Sequence, residues 1–371
     1  MTREEYCRKI EEAIEQIGFE GSLIGYERYG NGHINDTFVT LYRQKDGSYI
    51  RYILQRMNHD TFKQPEQLME NVAGVTEFLK QKIIKNHGDV NRETMNIIPT
   101  KSGGIFYKDS IGSYWRAYKF IEDTTCFDRV EKPDDFYQSA IAFGHFQNLL
   151  KDYPAKSLHE TIPNFHNTPV RYETLKRVME EDICNRLKDV KNEIDFVMER
   201  EAFASTLMDL QAEGKLPLKV THNDTKLNNI MIDNKTGKAI CVIDLDTIMP
   251  GFSVNDFGDA IRYGASTGAE DETDLEKVNL NLSLYELFTK GFLEGCNGSL
   301  TNTEIEMLPV GAKMMTLECG IRFLTDYLEG DTYFRTLRSN HNLDRARTQF
   351  KLVSDMEANW KTMCEIVNKY R

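Results

Sequence analysis

The sequence predicts an α+β fold in which a small β-rich unit, residues 1–121, precedes a larger helical unit, residues 122–371. Three observations lead to this prediction. Strand patterns dominate the first unit, helical periodicity dominates the second, and one compact β-rich stretch, residues 218–247, interrupts the helical part. A chain of 371 residues with 40% hydrophobic composition is long enough to bury a core in each unit.

The elements of the first unit follow from periodicity and turn residues. Residues 3–17 place apolar side chains on one helical face, and residues 26–42 predict two strands joined by a Gly/Asn turn. An Asp-Gly turn leads to a third strand, since Asp-Gly between alternating segments is a strong hairpin signal. A helix is predicted over 65–86, and residues 95–121 return to strand patterns. The predicted order is three strands, one helix, and two or more strands.

The second unit is predicted to contain helices separated by the β-rich stretch. Candidate helices cover about 134–151, 170–212, 274–295, 303–329 and 343–370. Within 218–247, two short apolar segments flank the turn N-K-T-G and predict a hairpin. Charged residues stand just before and just after these strands, where loops deliver functional groups from a rigid scaffold.

Charge and composition exclude several classes of partner. A net charge of −12 argues against nucleic acid and against an anionic membrane surface. The start of the chain, M-T-R-E-E-Y-C, is not that of a signal peptide, and no apolar run approaches 18 residues. The seven cysteines lack paired spacing, which predicts reduced thiols in a cytoplasmic protein. Oligomeric state, monomer or dimer, stays open.

The hairpin carries three polar residues at spacings that indicate phosphoryl transfer. In T-H-N-D-T-K-L-N-N, Asp224 is followed five residues later by Asn229, and Asp244 ends the second strand of the hairpin. Protein kinases use His-x-Asp-x-x-x-x-Asn and a later Asp for the base and the Mg²⁺ ligands. Mg²⁺ prefers oxygen ligands, usually one or two carboxylates plus substrate phosphates. A surface turn rich in Asn and Asp is the alternative. Lys226 in the same loop either steadies the γ-phosphate or is solvated.

These motifs resemble a known superfamily. T-H-N-D-T-K-L-N-N-I, V-I-D-L-D-T-I-M-P-G and D-F-G-D-A-I-R are similar to the aminoglycoside phosphotransferase and choline kinase superfamily. G-N-G-H-I-N-D-T-F, Y-I-L-Q-R-M-N, L-M-E-N-V and W-R-A-Y-K-F-I-E-D-T more closely resemble N-acetylhexosamine 1-kinases. Together the motifs span about residues 25–335. The resemblance implies a two-lobed protein-kinase-like fold, with residues 1–121 as a nucleotide-binding lobe and 122–371 as a catalytic and acceptor-binding lobe.

The family's catalytic roles fall on the loop and the hairpin. The resemblance implies Asp224 as general base, and Asn229 and Asp244 as ligands of Mg²⁺, with ATP as the phosphoryl donor. Asp246 would assist the metal through water or cap the next turn. The acids of N-D-F-G-D are expected to brace the catalytic loop by accepting backbone hydrogen bonds, and not to touch substrate.

The resemblance also implies a nucleotide site in the first lobe. The turn G-N-G-H-I-N-D-T-F would cover the phosphates, with Gly30 and Gly32 permitting close backbone approach and Asn35 in the same turn. The hinge whose backbone would bind adenine matches residues of Y-K-F-I-E-D: Phe120, Ile121 and Glu122.

One position departs from the protein-kinase pattern. Protein kinases carry a Lys on the third strand, whereas this strand reads I-L-Q-R-M. We expect Arg56 as the substitute, with Gln55 as the alternative, because neighbouring side chains alternate and only one can face the cleft. The acid expected to pair with this strand residue is Glu70 on the following helix, with Glu77 as the second choice. Either could instead be an exposed helix charge.

The acceptor pocket is expected on the larger lobe, where the resemblance points to His33, Arg322 and Tyr333 beside Asp224. His33 could instead be a turn residue, Tyr333 a packing residue, and Arg322 an ion-pair partner of Asp326. The implied reaction is phosphorylation of a sugar hydroxyl, the anomeric C1 hydroxyl of an N-acetylhexosamine (GlcNAc or GalNAc). Alternatives are a kinase of choline, homoserine, an aminoglycoside or a methylthio-sugar, or a nucleotide-binding pseudokinase that acts as a regulator.

Overall fold

The computed structural model describes residues 3–30 and 34–371, and its architecture is the predicted α+β fold. The amino-terminal part is built on a five-stranded antiparallel sheet with the strand order β1-β2-β3-β5-β4. Its strands are β1 Ser22–Arg28, β2 Asp36–Arg43, β3 Tyr49–Met57, β4 Tyr107–Lys108 and β5 Tyr114–Lys119. Two helices accompany this sheet, α1 Arg3–Gln16 and α2 Pro65–Lys85.

The two helices pack on opposite faces of the sheet, because side chains alternate along each strand. In β5, Trp115 and Ala117 belong to the core formed with α1. Tyr114 and Tyr118 point the other way, into the core formed with α2. This alternation decides which polar side chains of the sheet face α1 and which face the second lobe.

The larger part is mainly helical, and α10, which is buried along almost its whole length, lies at its centre. Its helices are α3 Pro133–Leu149, α4 Thr168–Glu181, α5 Lys191–Met198, α6 Thr206–Ala212, α7 Ser253–Gly264, α8 Leu282–Cys296, α9 Asn302–Glu306, α10 Leu308–Leu328, α11 His341–Ala358 and α12 Trp360–Tyr370. Among the described residues, none of the helices has the length and apolar character needed to cross a membrane.

Several predicted helix boundaries were wrong. The stretch 170–212 contains three helices, because α4 ends where Asp182 adopts a left-handed conformation with φ of 33°. The helix predicted from residue 274 begins at Leu282, where the side chain of Asn281 caps its amino end. Pro309 occupies the first turn of α10 and separates it from α9. Helix α7 was not among the predicted helices.

The β-rich stretch forms the predicted hairpin. The strands of this region are β7 Lys219–Thr221, β8 Ile230–Asp233, β9 Ala239–Val242 and β10 Met249–Gly251. A short strand from earlier in the chain, β6 Thr124–Thr125, joins them. Strands β6, β8 and β9 form one small sheet, and β7 pairs with β10. In the turn between β8 and β9, Gly237 has φ of 66°. The lobe boundary at 121/122 stays a prediction; β5 ends at Lys119, and β6 pairs with the hairpin.

Helices α7 and α10 cross at backbone contact. A Cβ atom added to Gly258 would lie 2.2 Å from the carbonyl oxygen of Gly311, and one added to Gly311 would lie 2.1 Å from that of Val254. Only glycine lets the two helices approach this closely. The crossing therefore fixes α7, which lies directly behind the loop between β7 and β8.

We predict that Gly258→Ala lowers the free energy of unfolding by about 1–3 kcal/mol, because the methyl group must displace a helix backbone. Chemical denaturation in urea measures this value. Gly25→Ala is the matched control, since a Cβ at Gly25 would meet no atom within 4 Å. A Gly258→Ala protein as stable as the Gly25→Ala protein would contradict the proposed tightness of the crossing.

Candidate active site

The loop between β7 and β8 is held by two buried acids of α7. The carboxylate of Asp256 accepts the backbone N–H groups of His222 at 2.9 Å and Asn223 at 2.8 Å. Asp259 accepts the N–H of Thr225 at 3.0 Å. Burial raises the pKa of Asp256 despite these hydrogen bonds. The expectation that the acids of N-D-F-G-D brace the catalytic loop is confirmed.

Asp224 projects from this braced loop and is partly exposed. Lys226 Nζ lies 2.7 Å from its Oδ1 atom. Asn229 donates its side-chain amide to the backbone oxygen of Asp224 at 2.8 Å and to Oδ2 at 3.2 Å. Burial lowers the pKa of Lys226, but the charge of Asp224 outweighs it and the net shift is upward. The structure thus brings the predicted base and one predicted metal ligand into direct contact.

Asp244 follows β9 in a left-handed conformation with φ of 60°. The backbone N–H of Ile243 donates to the carbonyl of Asn229 at 2.9 Å, which joins the hairpin strand to the catalytic loop. Surrounding protein atoms, followed by the charges of Asp246 and Asp224, raise the pKa of Asp244 to about 7, while Arg116 opposes the shift. Asp244 as a whole residue is nevertheless exposed to solvent.

These surroundings fit a divalent cation. A positive ion would relieve the repulsion between the carboxylate of Asp244 and those of Asp246 and Asp224. Among the described residues, no Lys or Arg forms an ion pair with Asp244. The amide group of Asn229 donates to Asp224, which leaves its oxygen as an available ligand. The described residues hold no group of three or more His, Cys, Asp or Glu suited to a metal. An ion here would take its other ligands from water and phosphate, as Mg²⁺ usually does.

Asp246, two residues further on, has a different environment from Asp244. Its carboxylate is buried, with Oδ1 2.5 Å from Nη1 of Arg116 on β5. Its Oδ2 accepts the side-chain amide of Asn35 at 2.7 Å. Asp246 is therefore tied to side chains of the first lobe, which neither expectation for this residue had anticipated.

The structure corrects the expectation for Arg56. Its guanidinium pairs with Asp36 at 2.6 Å and lies over the ring of Tyr6, on the face of the sheet that carries α1. Gln55, the alternative, points to the opposite face and accepts the Nε–H of Arg116 at 3.0 Å. Strand alternation allowed only one of the two neighbours to face the second lobe, and that residue is Gln55.

The expected helix partners also lie elsewhere. Glu70 is largely exposed and pairs with His159 of the second lobe at 2.6 Å, with no contact to Gln55. Glu77 is exposed and accepts a hydrogen bond from Gln81 on its own helix. The protein-kinase pairing of a strand cation with an acid of this helix is therefore not formed by Glu70 or Glu77.

The phosphate turn and the hinge are described in part. Gly30 has φ of 75°, a conformation that suits glycine, whereas Gly32 and His33 lie outside the described residues. In the predicted hinge, the ring of Phe120 packs under Arg51, at 3.9 Å between ring centre and guanidinium carbon. Ile121 is buried, and Glu122 is exposed and hydrogen-bonded to Arg51 Nε at 3.0 Å. Their adenine-binding role stays a prediction.

Arg322 is on α10, and its guanidinium lies close to three aromatic rings from other segments. Its guanidinium carbon is 5.4 Å from the ring centre of Phe334, 5.6 Å from that of Phe165 and 5.9 Å from that of Tyr333. Tyr333 is 67% exposed, which leaves most of its ring available to a ligand. Asp326 is not the partner of Arg322, because its carboxylate accepts the backbone N–H groups of residues 332–334 and the amide of Asn342.

Sequence reasoning missed a polar cluster beside Arg322. Glu318, one turn earlier on α10, is buried and accepts hydrogen bonds from His166 Nδ1 at 2.9 Å and from Thr168 at 2.7 Å. Burial raises the pKa of Glu318, but the hydrogen bonds and the charge of His166 outweigh it and lower the pKa overall. An acid in the apolar part of α10 was the sequence signal that could have revealed this cluster.

We predict that Glu318→Gln destabilises the protein by about 1–3 kcal/mol at pH 7, because it removes a buried charged acceptor. The lowered pKa of Glu318 means that its stabilisation is complete above the ordinary value of 4.5 and is lost as the pH falls through the folded value. The difference from wild type should therefore shrink below pH 4.5. Urea denaturation at several pH values measures it, with exposed Glu173→Gln as control. A difference that grows on acidification would contradict the assignment.

Comparison with known proteins places this geometry in a family. The model of the phosphotransferase enzyme family matches residues 25–286. An aminoglycoside phosphotransferase from Alicyclobacillus acidocaldarius is similar, with 10% identity and a TM-score of 0.60 over 97% of this chain and 96% of its own. An amicoumacin kinase in complex with AMP-PNP and Ca²⁺ has 13% identity and a TM-score of 0.57 over 96% of each chain.

An ethanolamine kinase from Plasmodium vivax is similar as well, with 16% identity and a TM-score of 0.54 over 88% of this chain and 82% of its own. At these identities the solved structures show the shared fold. The family match covers well over half of the chain and includes the catalytic loop, the hairpin and α7. The chain therefore belongs to the phosphotransferase enzyme family.

Proposed function

We propose that this phosphotransferase moves the γ-phosphoryl group of ATP to a sugar hydroxyl, the anomeric C1 hydroxyl of an N-acetylhexosamine such as GlcNAc or GalNAc. One observation carries the proposal: Asp224 and Asn229 are in contact on a loop that is braced from behind by α7, and the charge of Asp224 acts on Asp244 at the end of the hairpin. Phosphoryl transfer depends chiefly on positioning and on stabilisation of the phosphate charge, and a rigid loop supplies the positioning.

Asp224 is proposed as the group that accepts the proton of the acceptor hydroxyl. Its Oδ1 is paired with Lys226 at 2.7 Å, and from the part of the chain that the structure describes its Oδ2 accepts one hydrogen bond, from Asn229 at 3.2 Å. A carboxylate is a weak base, but an anomeric hydroxyl is more acidic than an ordinary alcohol, and proton transfer comes late in a loose transition state. Lys226 lies where it can move from Asp224 to the transferred phosphoryl group.

Asn229 and Asp244 are proposed to hold Mg²⁺ with the nucleotide. When bound, the ion would neutralise phosphate charge and supply the positive potential that the carboxylate cluster lacks. The chain itself keeps Asn229 and Asp244 adjacent, because the backbone N–H of Ile243 donates a hydrogen bond to the backbone carbonyl of Asn229. The exposed face of Asp244 leaves room for phosphate and water ligands.

The wall around Arg322 supports a neutral sugar over a cationic acceptor. Phe165, Tyr333 and Phe334 offer ring faces to sugar C–H groups, and a guanidinium offers forked donors to hydroxyl or amide oxygens. Burial and then the nearby charge of Arg322 lower the pKa of Arg171, and in the described parts of the chain neither guanidinium forms an ion pair with a carboxylate. Choline or an aminoglycoside would be repelled here.

The decisive experiment is an acceptor panel. GlcNAc, GalNAc, glucose, choline, homoserine, a methylthio-sugar and an aminoglycoside are each incubated with ATP and Mg²⁺, and phosphorylated product is measured. We expect N-acetylhexosamines to be phosphorylated at C1. Preferential turnover of choline or an aminoglycoside would overturn the sugar proposal. Turnover of no acceptor, with ATP bound, would favour a regulator.

We predict that Asp224→Asn lowers kcat by about 10²–10⁴-fold, because the amide cannot accept the hydroxyl proton. Binding of ATP, measured by calorimetry, should remain within a few-fold of wild type. Asp195→Asn, an exposed position on α5, is the matched control and should keep full activity. Near-normal turnover by Asp224→Asn would show that another group takes the proton.

We predict that Arg322→Lys raises KM for the sugar by roughly 10–100-fold, since a lysine keeps the charge but loses the planar fork of donors. The KM for ATP should change little, because Arg322 lies on the acceptor side. Steady-state kinetics with each substrate varied in turn separates the two effects. An equal rise in both KM values would place Arg322 outside the acceptor wall.

A further inference from the structure

The most deeply buried ion pair among the described residues joins the two parts of the molecule next to the candidate active site. Arg116 on β5 has 1% of its side chain exposed and Asp246 has 5%, and Arg116 Nη1 lies 2.5 Å from Asp246 Oδ1. Asp246 follows the proposed metal ligand Asp244 by two residues. A charge from the sheet of the first lobe is therefore fixed against the segment that carries Asp244.

Hydrogen bonds extend this pair on both sides. Arg116 Nε donates to Gln55 Oε1 at 3.0 Å, so a neighbouring strand orients the guanidinium. On the other side, Asn35 donates to Asp246 Oδ2 at 2.7 Å, and its own side-chain oxygen accepts the N–H of Asn58 at 2.9 Å. Asn35 ends the turn that would cover the nucleotide phosphates. The nucleotide turn, the sheet and the Asp244 segment are thus connected through one carboxylate.

Burial of these charges needs an explanation beyond stability. Removing two ions from water costs several kcal/mol per ion, and a buried ion pair seldom adds net stability over apolar residues of similar size. A paired and hydrogen-bonded guanidinium does, however, fix position, because its planar fork allows few arrangements. The geometry of the pair is therefore better explained by positioning than by stability.

We propose that Arg116 and Asp246 are positioning residues that set Asp244 relative to the nucleotide turn, and that the pair keeps Asp246 out of the metal's coordination shell. The inference rests on the proposed function. Arg116 is closed to phosphate by its burial, so it acts through Asp246 and touches no substrate. Asp244 alone then presents a carboxylate to the ion from this segment, while Asn35 links the position of the phosphate turn to it.

The test compares Asp246→Asn, Arg116→Met and the double variant Arg116→Met/Asp246→Asn. Each is measured for melting temperature, for the rise in melting temperature with ATP with and without Mg²⁺, and for kcat and KM. Arg116→Met leaves a buried carboxylate unpaired and should melt lowest, whereas the double variant removes both charges and should melt near wild type. We expect the double variant to lose most of the Mg²⁺-dependent rise and to show kcat reduced at least 10-fold.

Two further variants keep the inference testable if Arg116→Met does not fold. Arg116→Lys keeps the charge but not the fork to Gln55, and should fall between wild type and the double variant. Asn35→Ala leaves the ion pair intact and should lower kcat or weaken Mg²⁺·ATP binding roughly 3–10-fold. As matched control, Arg200→Met/Glu357→Gln removes an ion pair between the segment after α5 and helix α11, with 2.7 Å between its charged atoms, and should leave both readouts unchanged.

Wild-type kcat together with a wild-type Mg²⁺-dependent rise in the double variant would overturn the inference, since the pair would then be structural only. The proposed function can fail separately. If wild type phosphorylates no acceptor, the Mg²⁺-dependent rise with ATP still tests Arg116 and Asp246. If the melting temperature of the wild-type protein showed no Mg²⁺-dependent rise with ATP, the inference and the proposed function would both be overturned.

Discussion

The candidate active site depends on two buried carboxylates of α7, which accept hydrogen bonds from backbone N–H groups of the loop between β7 and β8. The loop from His222 to Thr225 has little regular structure of its own, and its amide groups would otherwise lie buried without partners. Asp256 and Asp259 satisfy them and so determine the path of the chain on either side of Asp224. Because α7 is itself fixed on α10 through Gly258 and Gly311, the position of Asp224, the proposed base, depends on one helix crossing.

The acidic residues of the site differ in whether their carboxylates have a partner. Three buried acids of the site are paired: Asp256 with backbone amides, Asp259 with Arg262, and Asp246 with Arg116. Among the described residues Asp244 has no such ion-pair partner, and surrounding protein atoms followed by the charges of Asp246 and Asp224 raise its pKa to about 7. In a protein with an overall charge of −12, an added cation beside this carboxyl group would relieve that repulsion.

The proposed acceptor side has the opposite charge pattern. Arg322 and Arg171 make their contacts with aromatic rings and backbone carbonyls, and among the described residues no acid forms an ion pair with either. Glu318 stands close by, but its two oxygens are engaged by His166 and Thr168. The guanidinium of Arg322 can therefore offer donors to a polyhydroxyl or acetamido ligand, and the contrast with the carboxylates around Asp224 underlies the proposed choice of substrate.

The sequence by itself determined the parts whose signals are local. The hairpin, the spacing of Asp224, Asn229 and Asp244, and the order of strands and helices in the first lobe follow from periodicity, turn residues and fixed offsets along the chain. The bracing role of the acids in N-D-F-G-D was also predicted. Helix α7 was missed because its polar motif concealed a segment that is buried on all sides.

Tertiary structure alone decided the partners of the charged side chains. Arg56 and Gln55 are neighbours in sequence, yet a strand sends them to opposite faces, and only the packing of α1 shows which face is which. Arg116 and Asp246 lie 130 residues apart, and no local pattern pairs them. Long-range pairing of charges depends on how separate elements pack, and that information is not carried by spacing along the chain.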